Sequence, residues 1–149
     1  FFPYLLKLKQ VSDLHSNRFS QAVVFEWLND EAMMRSRIIQ LREMYSEKRD
    51  VMRVSLETHF ADLAEWNQPE GGLFYWLRLK ECDSMQGLLK NCLKRGIAFM
   101  PGGPFFPNPE EGASSIRLNF SNPPIGSIDS GLKILAEEIC KMAPALPVA

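Results

Sequence analysis

Arg117 stands in a run of β-formers, Ser-Ser-Ile-Arg-Leu-Asn-Phe-Ser-Asn at 114–122, and is the residue best suited to chemistry in this chain. Side chains alternate along a strand, so Ile116, Leu118 and Phe120 fall on one face and Ser115, Arg117, Asn119 and Ser121 on the other. On a rigid strand the planar fork of guanidinium N–H donors can grip a carboxylate through two parallel hydrogen bonds. The competing assignment is an arginine on the wet face of an edge strand, paired with a glutamate. Two features favour the carboxylate clamp. Its neighbours on that face are small and hydrogen-bonding, and the preceding loop, Pro101-Gly102-Gly103-Pro104, has two glycines that let a backbone approach a ligand closely. A plain connection between strands needs the same freedom. Phe105 and Phe106 follow, and a solvated loop does not favour two large aromatics, so some surface or partner must cover them.

The other chemical signals are weaker. His59 closes a helical pattern and reads as a helix-terminal residue near the negative end of the dipole. His15 lies in the polar connector Ser-Asp-Leu-His-Ser-Asn-Arg at 12–18 and reads as a solvated loop histidine. GxGxxG, GxxxxGK[ST], HExxH and GxSxG are all absent, which argues against self-sufficient nucleophilic or metal catalysis. Cys82, Cys92 and Cys140 are odd in number and lack CxxC spacing, so neither a disulfide framework nor a metal site is expected, and a reducing cytoplasm is the simplest setting.

The elements that must position Arg117 follow from periodicity. Tyr4, Leu8 and Val11 recur at helical spacing. Asn17 is placed to cap a short helix whose Phe19, Val23 and Trp27 share a face. Met34, Ile38, Leu41, Tyr45, Lys48 and Met52 step by fours and threes, predicting one amphipathic helix from about 31 to 58. After the turn cluster at 67–72, Leu-Phe-Tyr-Trp-Leu-Arg-Leu is apolar on both faces, as a central strand covered on both sides would be, so Leu73 to Leu79 are expected to be buried. Ser84 should cap a helix ended by Gly96, Ile97–Met100 should be a strand, and Ser127 should cap a helix carrying Ile128, Leu132, Leu135, Ile139 and Met142. The expected class is α+β, with helices against a small, mainly antiparallel sheet.

Composition sets the outer limits. A chain of 149 residues, 46% hydrophobic and 23% charged with a net charge of −1, is one soluble globular domain without an electrostatic bias toward nucleic acid or acidic membranes. No apolar run approaches the roughly 20 residues that span a bilayer, and the opening Phe-Phe-Pro-Tyr-Leu-Leu lacks the cationic start of a signal peptide. The chain begins with Phe1 inside a helical pattern, as expected of a chain cut from something longer.

Pro-Glu-Gly-Gly-Leu-Phe-Tyr-Trp-Leu-Arg-Leu, then Gly-Ile-Ala-Phe-Met-Pro-Gly-Gly-Pro-Phe-Phe-Pro-Asn, then Ser-Ser-Ile-Arg-Leu-Asn-Phe-Ser-Asn before a helix resembles the C-terminal part of class I/II aminotransferases of the fold-type I pyridoxal-phosphate enzymes. The match is with the branch containing aminoadipate and related aromatic or branched-chain aminotransferases. Lys-Gln-Val-Ser-Asp-Leu-His-Ser-Asn-Arg-Phe-Ser-Gln at 9–21 also resembles the segment linking cofactor domain to small domain, so the likeness covers almost all of the chain. It implies that residues 1–149 are the small domain, preceded by a linker and long-helix region at about 1–58, with the cofactor-binding large domain outside this chain. It implies that Arg117 binds the substrate α-carboxylate, that Gly102 and Gly103 wall the site, and that His15, Ser16 and Asn17 lie near the active site of a partner subunit in a homodimer. The substrates would be an amino acid and a 2-oxo acid. The motif with the cofactor's Schiff-base lysine, and the aspartate that pairs with the pyridinium nitrogen, are absent here, so the chain alone should neither bind pyridoxal phosphate nor transaminate. The same motifs resemble the aminotransferase-like effector domain of winged-helix transcriptional regulators, where nucleic acid becomes a partner. A stand-alone α+β interaction domain is the third reading.

Overall fold

The computed structural model describes residues 1–13, 16–82 and 84–142. The chain divides into two compact units, Phe1–Arg42 and Glu43–Ala149. In the first, α1 spans Phe2–Ser12 with Pro3 in its first turn, where a missing N–H costs nothing. Helix α2 spans Arg18–Asn29, and the Asn17 side chain accepts from the Ser20 backbone N–H at 3.0 Å, the cap that its sequence predicts. No described residue of α1 or α2 is buried, and Phe2, Tyr4, Phe19, Val23 and Trp27 are exposed. Helix α3, Glu31–His59, begins in this unit and continues into the second.

The second unit carries the sheet. Strands β1 (Ala64–Trp66), β2 (Phe74–Leu79), β3 (Met100–Pro101) and β4 (Ser115–Asn119) lie in the order β1-β2-β4-β3, every neighbouring pair antiparallel. Helices α4 (Met85–Lys94) and α5 (Ile125–Met142) complete the α+β fold. Tyr75, Leu77, Leu79, Ile116 and Leu118 share the buried sheet face and belong to one core with Met52 and Leu56 of α3, Leu88 and Cys92 of α4, and Leu132 and Leu135 of α5. Burial drives this association at roughly 25 cal/mol per Å2 of apolar surface. Lys48 belongs to the same stripe of α3, and its Nζ donates to the Ser121 carbonyl at 2.7 Å, so the stem packs and the charge finds an acceptor.

Several local expectations need correction. The run from Leu73 to Leu79 is buried on one face only. Phe74 and Arg78 are exposed and Trp76 is half-buried, because the helices cover a single side of this antiparallel sheet. Of the expected strand Ile97–Met100 only Met100 joins the ladder, together with Pro101; Phe99 is buried but lies outside the ladder. Helix α5 starts at Ile125, so Ser127 lies inside its first turn and donates its hydroxyl to the Pro124 carbonyl at 2.8 Å. Ser84, by contrast, caps α4 by accepting from the Gly87 N–H, and Gly96 takes the left-handed φ of 78° that ends it.

Candidate functional site

The ladder places Arg117 on the outer face of an interior strand, opposite Trp76 of β2 and Met100 of β3. Two 3-10 turns, Gly103–Phe105 and Pro109–Gly112, fill the connection from β3 to β4 and bring Phe105 back over that face. The Arg117 Cζ lies 4.2 Å from the Phe74 ring centroid and 4.4 Å from that of Phe105. Trp76 meets Phe105 edge to face at 5.6 Å and Phe106 at 5.9 Å, so one ring of β2 lies against both aromatics of the turn, although Phe105 stays exposed.

Among the described residues Arg117 forms no ion pair, and its Nε is buried without a hydrogen-bond partner. Arg95 shows the contrast. Its side chain, 35% exposed, donates to Glu137 at 2.8 Å and Glu138 at 2.9 Å. The glutamate partner expected of an ordinary wet-face strand arginine is therefore missing at Arg117. A half-buried guanidinium with its faces against rings and no internal acid can accept an anion through its N–H edge.

A family model described as aminotransferase class I and II matches residues 5–135. The chain belongs to the class I and II aminotransferases. This aminotransferase chain is 34% identical over 131 residues to aromatic-amino-acid aminotransferase 1 of Thermococcus litoralis, covering 88% of this chain and 31% of the relative. The α-aminoadipate aminotransferase LysN of Thermus thermophilus, solved with N-(5'-phosphopyridoxyl)-L-leucine, superposes with a TM-score of 0.81 at 29% identity, over 95% of this chain and 36% of that one. An uncharacterised HTH-type transcriptional regulator of Bacillus subtilis is 29% identical over 133 residues, 89% of this chain and 27% of its own length. The chain thus spans about a third of the length of the curated relatives it matches.

Of the aminotransferase chain's expected site residues, Arg117 lies on β4 and Gly102 lies beside that strand, its N–H donating at 2.7 Å to the carbonyl of Ser115, two residues from Arg117. Gly102 also has a packing reason to be glycine. A Cβ there would lie 2.6 Å from the Ser115 Cβ and 2.8 Å from the Gly112 carbonyl oxygen. At Gly103 a Cβ would meet the Pro109 carbonyl at 3.2 Å. Ser16 and Asn17 belong to the first unit, where the Ser16 hydroxyl accepts from Lys9 Nζ at 3.2 Å and Asn17 caps α2; His15 lies outside the described residues. No group of three His, Cys, Asp or Glu among the described residues could hold a metal, and no described helix is long and apolar enough to cross a membrane.

The aminotransferase chain also holds a polar cluster that its sequence did not advertise. Asp129 of α5 accepts from the Ser55 hydroxyl at 2.9 Å and lies 3.0 Å from His59 Nε2, joining the end of α3 to α5. The only signal was that Ser55 and His59 stand four apart, on one helix face. The Ser55 hydrogen bond, then the His59 contact, hold the Asp129 carboxyl below the usual carboxylate range. A carboxyl depressed on folding stabilises above its unfolded pKa and loses that contribution as pH falls through its folded one. Acid melts between about pH 5 and pH 2 should therefore fall less steeply for Asp129→Asn than for the parent. Parallel acid limbs would show that folding does not depress the Asp129 carboxyl.

Proposed function

We propose that the whole protein is a pyridoxal-phosphate-dependent aminotransferase, that residues 1–149 are its small domain with a linker and long helix at about 1–58, and that Arg117 binds the α-carboxylate of an amino acid and of the matching 2-oxo acid. The single observation carrying this reading is the Arg117 guanidinium, fixed on an interior strand and without an acidic partner among the described residues. A carboxylate seated on it would be held at both oxygens. That fixes the direction of the Cα substituents, and orientation of this kind is a large part of how enzymes lower barriers.

The residues around Arg117 suit a carboxylate and do not by themselves suit the cofactor. No lysine stands on β2, β3, β4 or the two 3-10 turns, so an aldehyde there has no amine to condense with. In this reading cofactor chemistry belongs to residues outside this group. The same reading makes the whole protein a cytoplasmic homodimer.

The relative described as an HTH-type regulator supports a second reading, an effector-sensing domain in which Arg117 holds the carboxylate of a regulatory amino acid. One assay separates the two. The whole protein, given pyridoxal phosphate, an amino acid and a labelled 2-oxo acid, should convert the labelled acid to its amino acid. Absence of exchange, with an amino-acid-dependent change in DNA affinity, would replace the enzyme by the regulator.

A further inference from the structure

We propose that Phe74 and Phe105 are positioning residues for Arg117, whose ring faces hold the guanidinium in place for a ligand carboxylate while leaving its N–H donors unoccupied. The proposal rests on the carboxylate reading above and adds how that site is kept ready.

Three of the other arginines in the second unit are steadied by carboxylates, Arg49 by Asp50, Arg53 by Glu57 and Arg95 by Glu137 and Glu138, while Arg78 is exposed to solvent. Such pairing uses the donors that a ligand would need, and a ligand carboxylate would have to displace the internal one. Arg117 is steadied differently, by two ring centroids at 4.2 and 4.4 Å, well inside the roughly 6 Å reach of a cation–π contact. An aromatic face attracts the cation without accepting from its in-plane N–H groups.

The two rings arrive from independent elements. Phe74 is opposite Asn119 in the ladder, so it meets Arg117 on the diagonal, two residues along β4. Phe105 comes from the first 3-10 turn, and Trp76, directly opposite Arg117, braces it edge to face with an interplanar angle of 85°. The rings are poorly explained as core. Phe74 is 38% and Phe105 45% exposed, whereas Tyr75 and Phe120 on the other face are at 0% and 2%. Replacing either exposed ring by leucine should therefore disturb the fold little and the guanidinium much.

The test is calorimetric binding of 4-methylpentanoate, a carboxylate without an amino group, to the whole protein and to Phe105→Leu, Phe74→Leu, Phe105→Tyr and Arg117→Ala. Loss of a partly desolvated cation–π contact should raise Kd about tenfold in each leucine variant, and Phe105→Tyr, which keeps the ring, should restore it. Thermal midpoints should stay with the parent. If Arg117→Ala loses binding while Phe105→Leu and Phe74→Leu bind as the parent does, the carboxylate reading stands and the positioning role is wrong. If tyrosine at 105 behaves like leucine, the ring face is not what holds the guanidinium and the proposal is overturned. If the parent does not bind, or Arg117→Ala binds as the parent does, the carboxylate reading fails and this proposal with it.

Discussion

Arg117→Ala in the whole protein is expected to lower kcat/KM for amino acids about a hundredfold or more, because two charge-assisted hydrogen bonds worth roughly 1.5–3 kcal/mol each are lost from the bound carboxylate. Arg117→Lys should recover only part of this, since an ammonium restores a point charge but not the planar fork. The fold should tolerate both changes. Among the described residues no acid pairs with Arg117, so its removal strands no buried counter-charge, the usual reason that deleting a half-buried arginine is destructive. Steady-state kinetics alongside thermal melts check the result. A hundredfold loss accompanied by a collapsed melting temperature would point to folding instead of binding.

Gly102→Ala is expected to destabilise by about 1–3 kcal/mol, the usual range for inserting a methyl into a site that is already full. The backbone itself would accept alanine, since φ is −75° and ψ −28°. Space is what is missing: the new Cβ would lie 2.6 Å from the Ser115 Cβ, 2.8 Å from the Gly112 carbonyl and 2.9 Å from the Ser115 carbonyl. These are backbone atoms and a Cβ, which cannot swing aside as the tip of a long side chain does. Either the turn lifts off β4 or β4 shifts, and either movement carries Phe105 away from Arg117. Weaker carboxylate binding should therefore accompany the lower stability. Gly126→Ala is the control, because nothing lies within 4 Å of that position in the first turn of α5 and the substitution should be neutral or slightly stabilising. Denaturant unfolding of the two variants beside the parent settles the matter, and equal stability for both would contradict the packing argument.

Much of the fold could be read from residue order because local chemistry and tertiary structure agree there. Asn17 and Ser84 make the caps that their types predict, and the stripe through Tyr45, Lys48 and Met52 is the face that α3 turns inward. What was not legible depended on partners. Strand β1 is three residues long, Ala-Glu-Trp, too short to show alternation, and exists because Leu79, Arg78 and Leu77 pair with it. Apolar character on both faces of 73–79 did not mean burial on both: Tyr75 and Leu77 pack on the core, while Phe74 and Trp76 serve the outer face around Arg117 and Phe105. The sequence marked Arg117 by its small polar neighbours and marked Phe105 as an aromatic needing cover. That the two meet is a product of the 3-10 turns, which no local pattern specifies.

The central claim is that Arg117 recognises a carboxylate, and the most direct measurement is the ratio of kcat/KM for an amino acid to that for its decarboxylated amine, in the parent and in Arg117→Ala. The amine has nothing for the guanidinium to hold, so its rate should be nearly indifferent to the substitution, and the ratio should fall about a hundredfold through the amino acid alone. If both substrates slow equally while the melting temperature holds, the ratio is unchanged and Arg117 is not a carboxylate clamp.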